Sequence, residues 1–388
     1  MLIAFVVFEP GELAAVGIDL RQLLRQARAR GHACCVYSTA AADNPVDGVS
    51  WRQLPVRERG RHRRHAAFLE ALQEALARDP ARAVLGFEPL PGLDAVLCAT
   101  LPRAQSSPGR SLSPRRWLSR RGGAEQYFRA LESRFFRAGG AGLMMYLSTA
   151  QQAAYQQQYA LPSAAGLVLP PGVATWNTGP EEARKIRRDL RQRLQVAEGE
   201  LLLLFAGSDF QRAGLARAIH ALAHARGEQV HQKLRLLVAA DGRYRSYHHL
   251  ARKLGVRDAV EFLRNREPLD AVLLAADTLV HPAQAEAAAP LLLRALLAGL
   301  PVITTEDSGY ADHIAAARAG LVMRHPFRQA DLDHAVLRCI DGIYRAQCRE
   351  SGTRYIAMTD LHTQLETCLA LLERHATDAA GVGAPGSR

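Results

Sequence analysis

"GLVLPPGV", residues 166–173, decides how the chain is divided. A short apolar run meets Pro170-Pro171-Gly172, which ends a strand and turns the backbone, so "LPPGV" reads as a hinge. Beyond it stands a charged helix, "PEEARKIRRDLRQRLQV" (180–196), and then a fresh apolar strand, "ELLLLFAGS" (200–208). From there helices at 212–225, 245–254, 267–276 and 288–298 alternate with strands at 233–240, 259–263, 278–282 and 301–305. Before the hinge the same alternation runs through "LIAFVVF" (2–8), a helix from Asp19 to Arg30, "CCVYS" (34–38), a long helix from near His65, "AVLGF" (83–87) and "GLMMYLS" (142–148). Strand–helix alternation that starts afresh after a hinge predicts an α/β protein of two doubly wound, Rossmann-like domains facing a central cleft. The expected boundaries are 1–170 for the first domain, 171–345 for the second, 346–375 for a helical segment packing back across the domains, and 376–388 for a disordered tail.

With 388 residues, 48% of them hydrophobic and 22% charged, the chain has the composition of a soluble two-domain protein. No run reaches the roughly 18 apolar residues of a membrane span, and "MLIAFVVF" lacks the basic lead and cleavage site of a signal peptide, so a cytoplasmic location is expected. The six cysteines show no metal-ligand spacing and read as reduced, buried thiols. The net charge of +11 requires an anionic partner: nucleic acid, a membrane face or a phosphorylated ligand. Residues 103–137 concentrate this charge, with nine arginines against two acids and Trp117, Tyr127, Phe128, Phe135 and Phe136 interleaved. Arginine beside aromatics suits an anionic leaflet. It also suits single-stranded nucleic acid, but no nucleic-acid module is recognisable. Arg103, Arg110, Arg115, Arg116, Trp117, Arg120 and Arg121 are the expected membrane-binding residues, on the cytoplasmic face of an inner membrane. No HExxH, GxSxG, Walker-type or paired-cysteine motif is present.

Several motifs, in order, carry a resemblance: "ARGH" (29–32), "GFEPLPGLD" (86–94), "GSDFQRAGLARAI" (207–219), "AADTLVHPAQAEAA" (275–288), "AGLPVITT" and "SGYADHI" (308–314). Through them the chain resembles the GT-B glycosyltransferases of retaining family 4, and within these the lipopolysaccharide core glucosyltransferases. The resemblance runs from the first strand to about residue 345. It implies a nucleotide-sugar donor on the C-terminal domain, a lipid-linked lipopolysaccharide core intermediate on the N-terminal one, and neither metal nor other cofactor.

Carried over position by position, the family's donor devices are altered. A glycine pair after the first strand is replaced by Ala14 and Ala15, whose Cβ atoms would stand where phosphate approaches, although Gly11 and Gly17 lie nearby. An Arg-Lys clamp reads Arg212-Ala213. Of two glutamates eight residues apart, Glu286 remains and the second, a ribose acceptor, is Arg294, which accepts no hydrogen bond. The helix between them opens with Ala289-Pro290, and proline donates no N–H to a phosphate. An acidic residue after the "PGLD" strand is replaced by Thr100. Glu286 and Thr100 thus occupy the catalytic positions. Arg294 is expected to fill the ribose space and to pair with an acidic group such as Glu286 or Asp209, while His281 reads as a structural histidine. Loss at the site with retention of the frame predicts a degenerate transferase that binds the acceptor or a protein partner in core assembly, and argues against nucleotide-sugar binding. An active hexosyltransferase with a rebuilt donor pocket is the alternative; a nucleic-acid-binding protein is a weaker one.

Overall fold

Short runs of wholly apolar residues set the frame, because a strand buried on both faces needs no polar alternation. In the computed structural model, which describes residues 1–14, 16–41, 46–103, 123–207, 209–228, 232–240, 242–263 and 267–382, such runs form the centres of two parallel sheets. The first contains β1 (Leu2–Val7), β2 (Ala33–Ser38), β3 (Val49–Gln53), β4 (Ala83–Gly86), β5 (Ala95–Cys98), β6 (Leu143–Tyr146) and β7 (Leu167–Val168), in the order β3-β2-β1-β4-β5-β6-β7. Ile3 lies opposite Cys34 on one side and Ala83 on the other. Helix Leu20–Ala29 is opened by Asp19, whose carboxylate accepts from the Gln22 amide at 3.1 Å, and it buries Leu20, Leu23, Leu24 and Ala27.

The second sheet contains β8 (Leu201–Ala206), β9 (Leu234–Ala239), β10 (Val260–Phe262), β11 (Thr278–His281), β12 (Val302–Thr305) and β13 (Gly320–Met323), in the order β10-β9-β8-β11-β12-β13. Leu203 of β8 faces Leu236 and Thr278 on its two neighbours. In each sheet the strand order reverses beside the first strand, between β1 and β4 and between β8 and β11. Loops diverge there and leave room for a ligand at the strands' carboxyl ends.

The chain divides into two units, Met1–Gly172 with His362–Arg388, and Val173–Leu361. The C-terminal region differs from the expected single segment with a loose tail. Helix Gly342–Met358 belongs to the second unit, and helix Gln364–Val382 returns to the first. The latter continues through much of the small-residue stretch expected to be disordered, because alanine favours helix. It is moored by Glu373, which accepts from Arg30 at 3.1 Å and lies 2.6 Å from His32 Nε2.

The aromatics of the basic stretch are also placed differently from expectation. Phe128, Phe135 and Phe136 of helix Gly123–Arg137 are buried in the first unit's core, and the Tyr127 hydroxyl meets His65 Nδ1 at 3.1 Å. Their spacing is that of a helix face turned inward. Arg103 stacks its guanidinium 4.7 Å from the centre of the Phe128 ring, and its backbone amide donates to the buried Glu132 at 3.2 Å. Arg110, Arg115, Arg116, Trp117, Arg120 and Arg121 lie outside the described residues. No helix among the described residues is long and apolar enough to cross a membrane. All six cysteines are buried and unpaired.

Candidate functional site

In the second unit the loops following β8 and β11 are stitched together at the switch point. The Gln284 amide donates to the Arg212 carbonyl at 2.7 Å, Gln284 Nε2 to the Gln211 carbonyl at 2.8 Å, and the Arg212 guanidinium to the Ala285 carbonyl at 2.9 Å. Asp209 shapes the first loop by accepting from the amides of Gln211 and Arg212 at 3.2 and 3.1 Å. Two glycines permit this closeness. A Cβ on Gly214, whose φ is +87°, would fall on the Pro282 carbonyl, and one on Gly309 would fall on the Ala287 carbonyl.

Glu286 stands in the loop before helix Pro290–Leu297, its amide donating to the Asp307 carbonyl at 2.9 Å. Its carboxylate meets His281 Nε2 at 2.8 Å. Burial works against charge on the His281 imidazole, but the Glu286 carboxylate and the Ala206 backbone outweigh it and raise its pKa. His281, which sequence reasoning treated as structural, is therefore the group that holds Glu286 in place. Arg217 was missed altogether. Its guanidinium donates to the Pro282 and Ala283 carbonyls at 3.1 Å each and stacks 3.7 Å from the Phe327 ring centre. Its position five residues after Arg212, near the start of helix Leu215–Gly227, was the available signal.

The structure brings Arg212, the buried Ala213 and Glu286 to one switch point, but not Arg294 to Glu286. Arg294 Nε donates to Asp270 Oδ1 at 3.0 Å, a second nitrogen joins the same oxygen, and the guanidinium lies 5.6 Å from the Trp176 ring centre. The expected pairing with Glu286 or Asp209 fails because the intervening chain is not continuous helix. Glu286 lies in a loop, and the helix begins only at Pro290. That proline is the first helical residue after Ala289, which makes no side-chain cap. In the first unit, Ala14 ends the short helix Gly11–Ala14 at the β1 switch point; Ala15 lies outside the described residues. Thr100 is exposed just beyond β5, its carbonyl accepting from Gln151 at 2.7 Å and from the Tyr155 hydroxyl at 3.1 Å. Among the described residues, no group of three or more His, Cys, Asp or Glu could hold a metal ion.

Two parallel-sheet units with polar loops at the second unit's switch point form the architecture of the GT-B glycosyltransferases. Residues 186–355 match the family described as glycosyl transferases group 1. Over 364 residues the chain is 32% identical to the lipopolysaccharide glucosyltransferase WaaG of Escherichia coli (strain K12), covering 94% of this chain and 96% of that protein. A crystal structure of WaaG, a glycosyltransferase involved in lipopolysaccharide biosynthesis, matches with a TM-score of 0.80 and 30% identity, covering 95% of this chain and 99% of that one. The sucrose-phosphate synthase of Thermosynechococcus elongatus shares the fold, with a TM-score of 0.73 at 17% identity over 97% of this chain and 99% of that one. The chain belongs to the group 1 glycosyltransferases.

Proposed function

We propose that this chain serves lipopolysaccharide core assembly as a binding protein built on a glycosyltransferase frame, holding the lipid-linked core intermediate or a partner protein without transferring sugar. The observation that carries this reading is Arg294. A ribose at this position needs acceptors, and a guanidinium has none. Its guanidinium is held by Asp270 and Trp176, at the position where the family resemblance implies a ribose acceptor. Ala213 and Pro290 support the same reading, because each removes a donor from a diphosphate. Losing one well-placed donor costs about 10²–10³ in rate.

One observation favours an active retaining hexosyltransferase instead. Glu286 is oriented by His281 and keeps a partly exposed carboxylate, as a working site requires.

Thermal unfolding with nucleotide sugars separates the two readings. A ligand at a hundred times its Kd stabilises a fold by about 2.7 kcal/mol, which raises Tm by about 5–10 °C in a domain of this size. We expect no shift with millimolar UDP-glucose, UDP-N-acetylglucosamine, or GDP and ADP sugars, and no donor hydrolysis. The variant A14G/A15G/A213K/P290I/R294E should gain nucleotide binding. A clear shift in the unmodified protein, followed by transfer to a core acceptor, would establish the active enzyme.

A further inference from the structure

A second site lies outside these loops, along the outer edge of the second sheet. Helix Arg245–Lys253 and the 3₁₀ turn Arg257–Ala259 border an open hollow of about 520 Å³, lined by Tyr244, Arg245, His248, His249, Arg252 and Arg257. A neighbouring hollow of about 410 Å³ shares His248 and Arg257. Positions 245, 248, 249 and 252 follow the i, i+3, i+4, i+7 spacing of one helix face, so the helix turns two arginines and two imidazoles the same way. Arg257 joins them from the turn.

Two arginines on one helix face attract an anion, and the described carboxylates nearest them, Asp258 and Glu261, are already engaged. Asp258 is gripped by Arg226 at 3.0–3.1 Å, and Glu261 accepts from Arg235 at 3.2 Å. Arg187, Arg191, Arg193, Arg226, Arg235, Arg294 and Arg328 of the same unit all have carboxylate partners. Arg245, Arg252 and Arg257 are not among these paired arginines; Arg257 donates to the Val260 carbonyl at 3.5 Å. Arg245 also opens a helix with no acid in its first turn, where the helix dipole disfavours a cation. The hollow has an aromatic border: the Phe262 ring lies 4.4 Å from His248 and 4.8 Å from Tyr244, centre to centre.

We propose that this hollow binds a phosphate group, carried either on a sugar or as the headgroup of an anionic lipid. Forked guanidinium donors match phosphate oxygens. The Tyr244 and His248 rings, tilted against Phe262, border the hollow beside the guanidinium groups, and the volume falls in the range of small-molecule sites.

Calorimetric titration with glucose 6-phosphate, inorganic phosphate and glucose tests the first source. Sedimentation with phosphatidylcholine vesicles, with and without phosphatidic acid, tests the second. The vesicle arm uses the R115Q/R116Q/R120Q/R121Q background, so that the basic segment does not contribute. Binding of either phosphate source, weakened about tenfold or more by R245Q/R252Q/R257Q but not by the equally charged control R184Q/R188Q/R354Q, supports the site and identifies its source. Far-UV circular dichroism checks that both variants fold. Failure of both sources to bind, or equal weakening by the two triple variants, overturns the proposal. The same variant keeps the two sites distinct: a nucleotide-sugar melting shift that survives R245Q/R252Q/R257Q belongs to the loops after β8 and β11.

Discussion

Burial opposes a charged imidazole at His281, and the Glu286 carboxylate 2.8 Å away together with the Ala206 backbone outweighs it. A histidine whose folded pKa is raised contributes stability that is fully present below its unfolded value, 6.5 here. That contribution is lost as the pH rises through the higher folded value. Glu286→Gln should therefore destabilise the protein by about 1–3 kcal/mol at pH 6, and the difference from the unmodified protein should narrow by pH 9. Urea unfolding at a series of pH values measures it. A difference that stays constant across the series would show that the pair is not ionised in the fold. The residue scale is also where sequence reasoning reached its limit. Glu286 and Arg212 were legible because the family resemblance carries over to them position by position. The partner of Arg294 was not, because Asp270 lies 24 residues away and meets it only after two helices pack.

Helix Pro180–Arg193 shows how an element is fixed in place. Proline at its start and Glu181 and Glu182 in its first turn suit its N-terminus, but its mooring is Asp277, just before β11. Asp277 accepts from Arg187 at 2.5 Å, Arg191 at 3.0 Å and the Leu202 amide at 2.8 Å. Burial raises its pKa, and the Leu202 amide and the two guanidinium groups more than reverse this, leaving it below 3.8. The stabilisation is complete above that unfolded value and is lost as the pH falls through the lower folded one. Asp277→Asn leaves two arginines facing an amide and should cost about 3–5 kcal/mol near neutral pH. The cost should shrink in acid, as followed by thermal unfolding; an unchanged Tm at pH 7 would mean that the helix is held by its other contacts, among them the bonds of Arg187 and Arg191 to the carbonyls of Leu274, Ala275, Ala276 and Glu200. Elements of this kind were largely legible: β8 is six apolar residues between polar flanks, and its placement followed from that. Strand β3 was not, since "VSWRQ" at the sheet edge offers only two apolar residues, Val49 and Trp51, too short an alternation to stand out, and neither is fully buried.

At the scale of the whole molecule, the excess of eleven positive charges favours an anionic surface. The described aromatics of the basic stretch, Phe128, Phe135 and Phe136, are committed to the core and are not available to enter a bilayer. We therefore propose that attachment to an anionic membrane rests on the arginines of 103–121 and is governed by charge. Each basic residue near such a surface contributes about 1 kcal/mol, so R115Q/R116Q/R120Q/R121Q should forfeit about 4 kcal/mol, roughly a thousandfold in affinity. Binding should also fall steeply between low and physiological salt, as the Debye length shortens from roughly 30 Å at 0.01 M to 8 Å at 0.15 M. Co-sedimentation with phosphatidylglycerol-containing vesicles, against phosphatidylcholine alone, measures both effects. Sedimentation that survives the four substitutions or is indifferent to salt would place the attachment elsewhere on the protein. Salt-sensitive binding to oligonucleotides, with no binding to vesicles, would reassign the basic segment to nucleic acid.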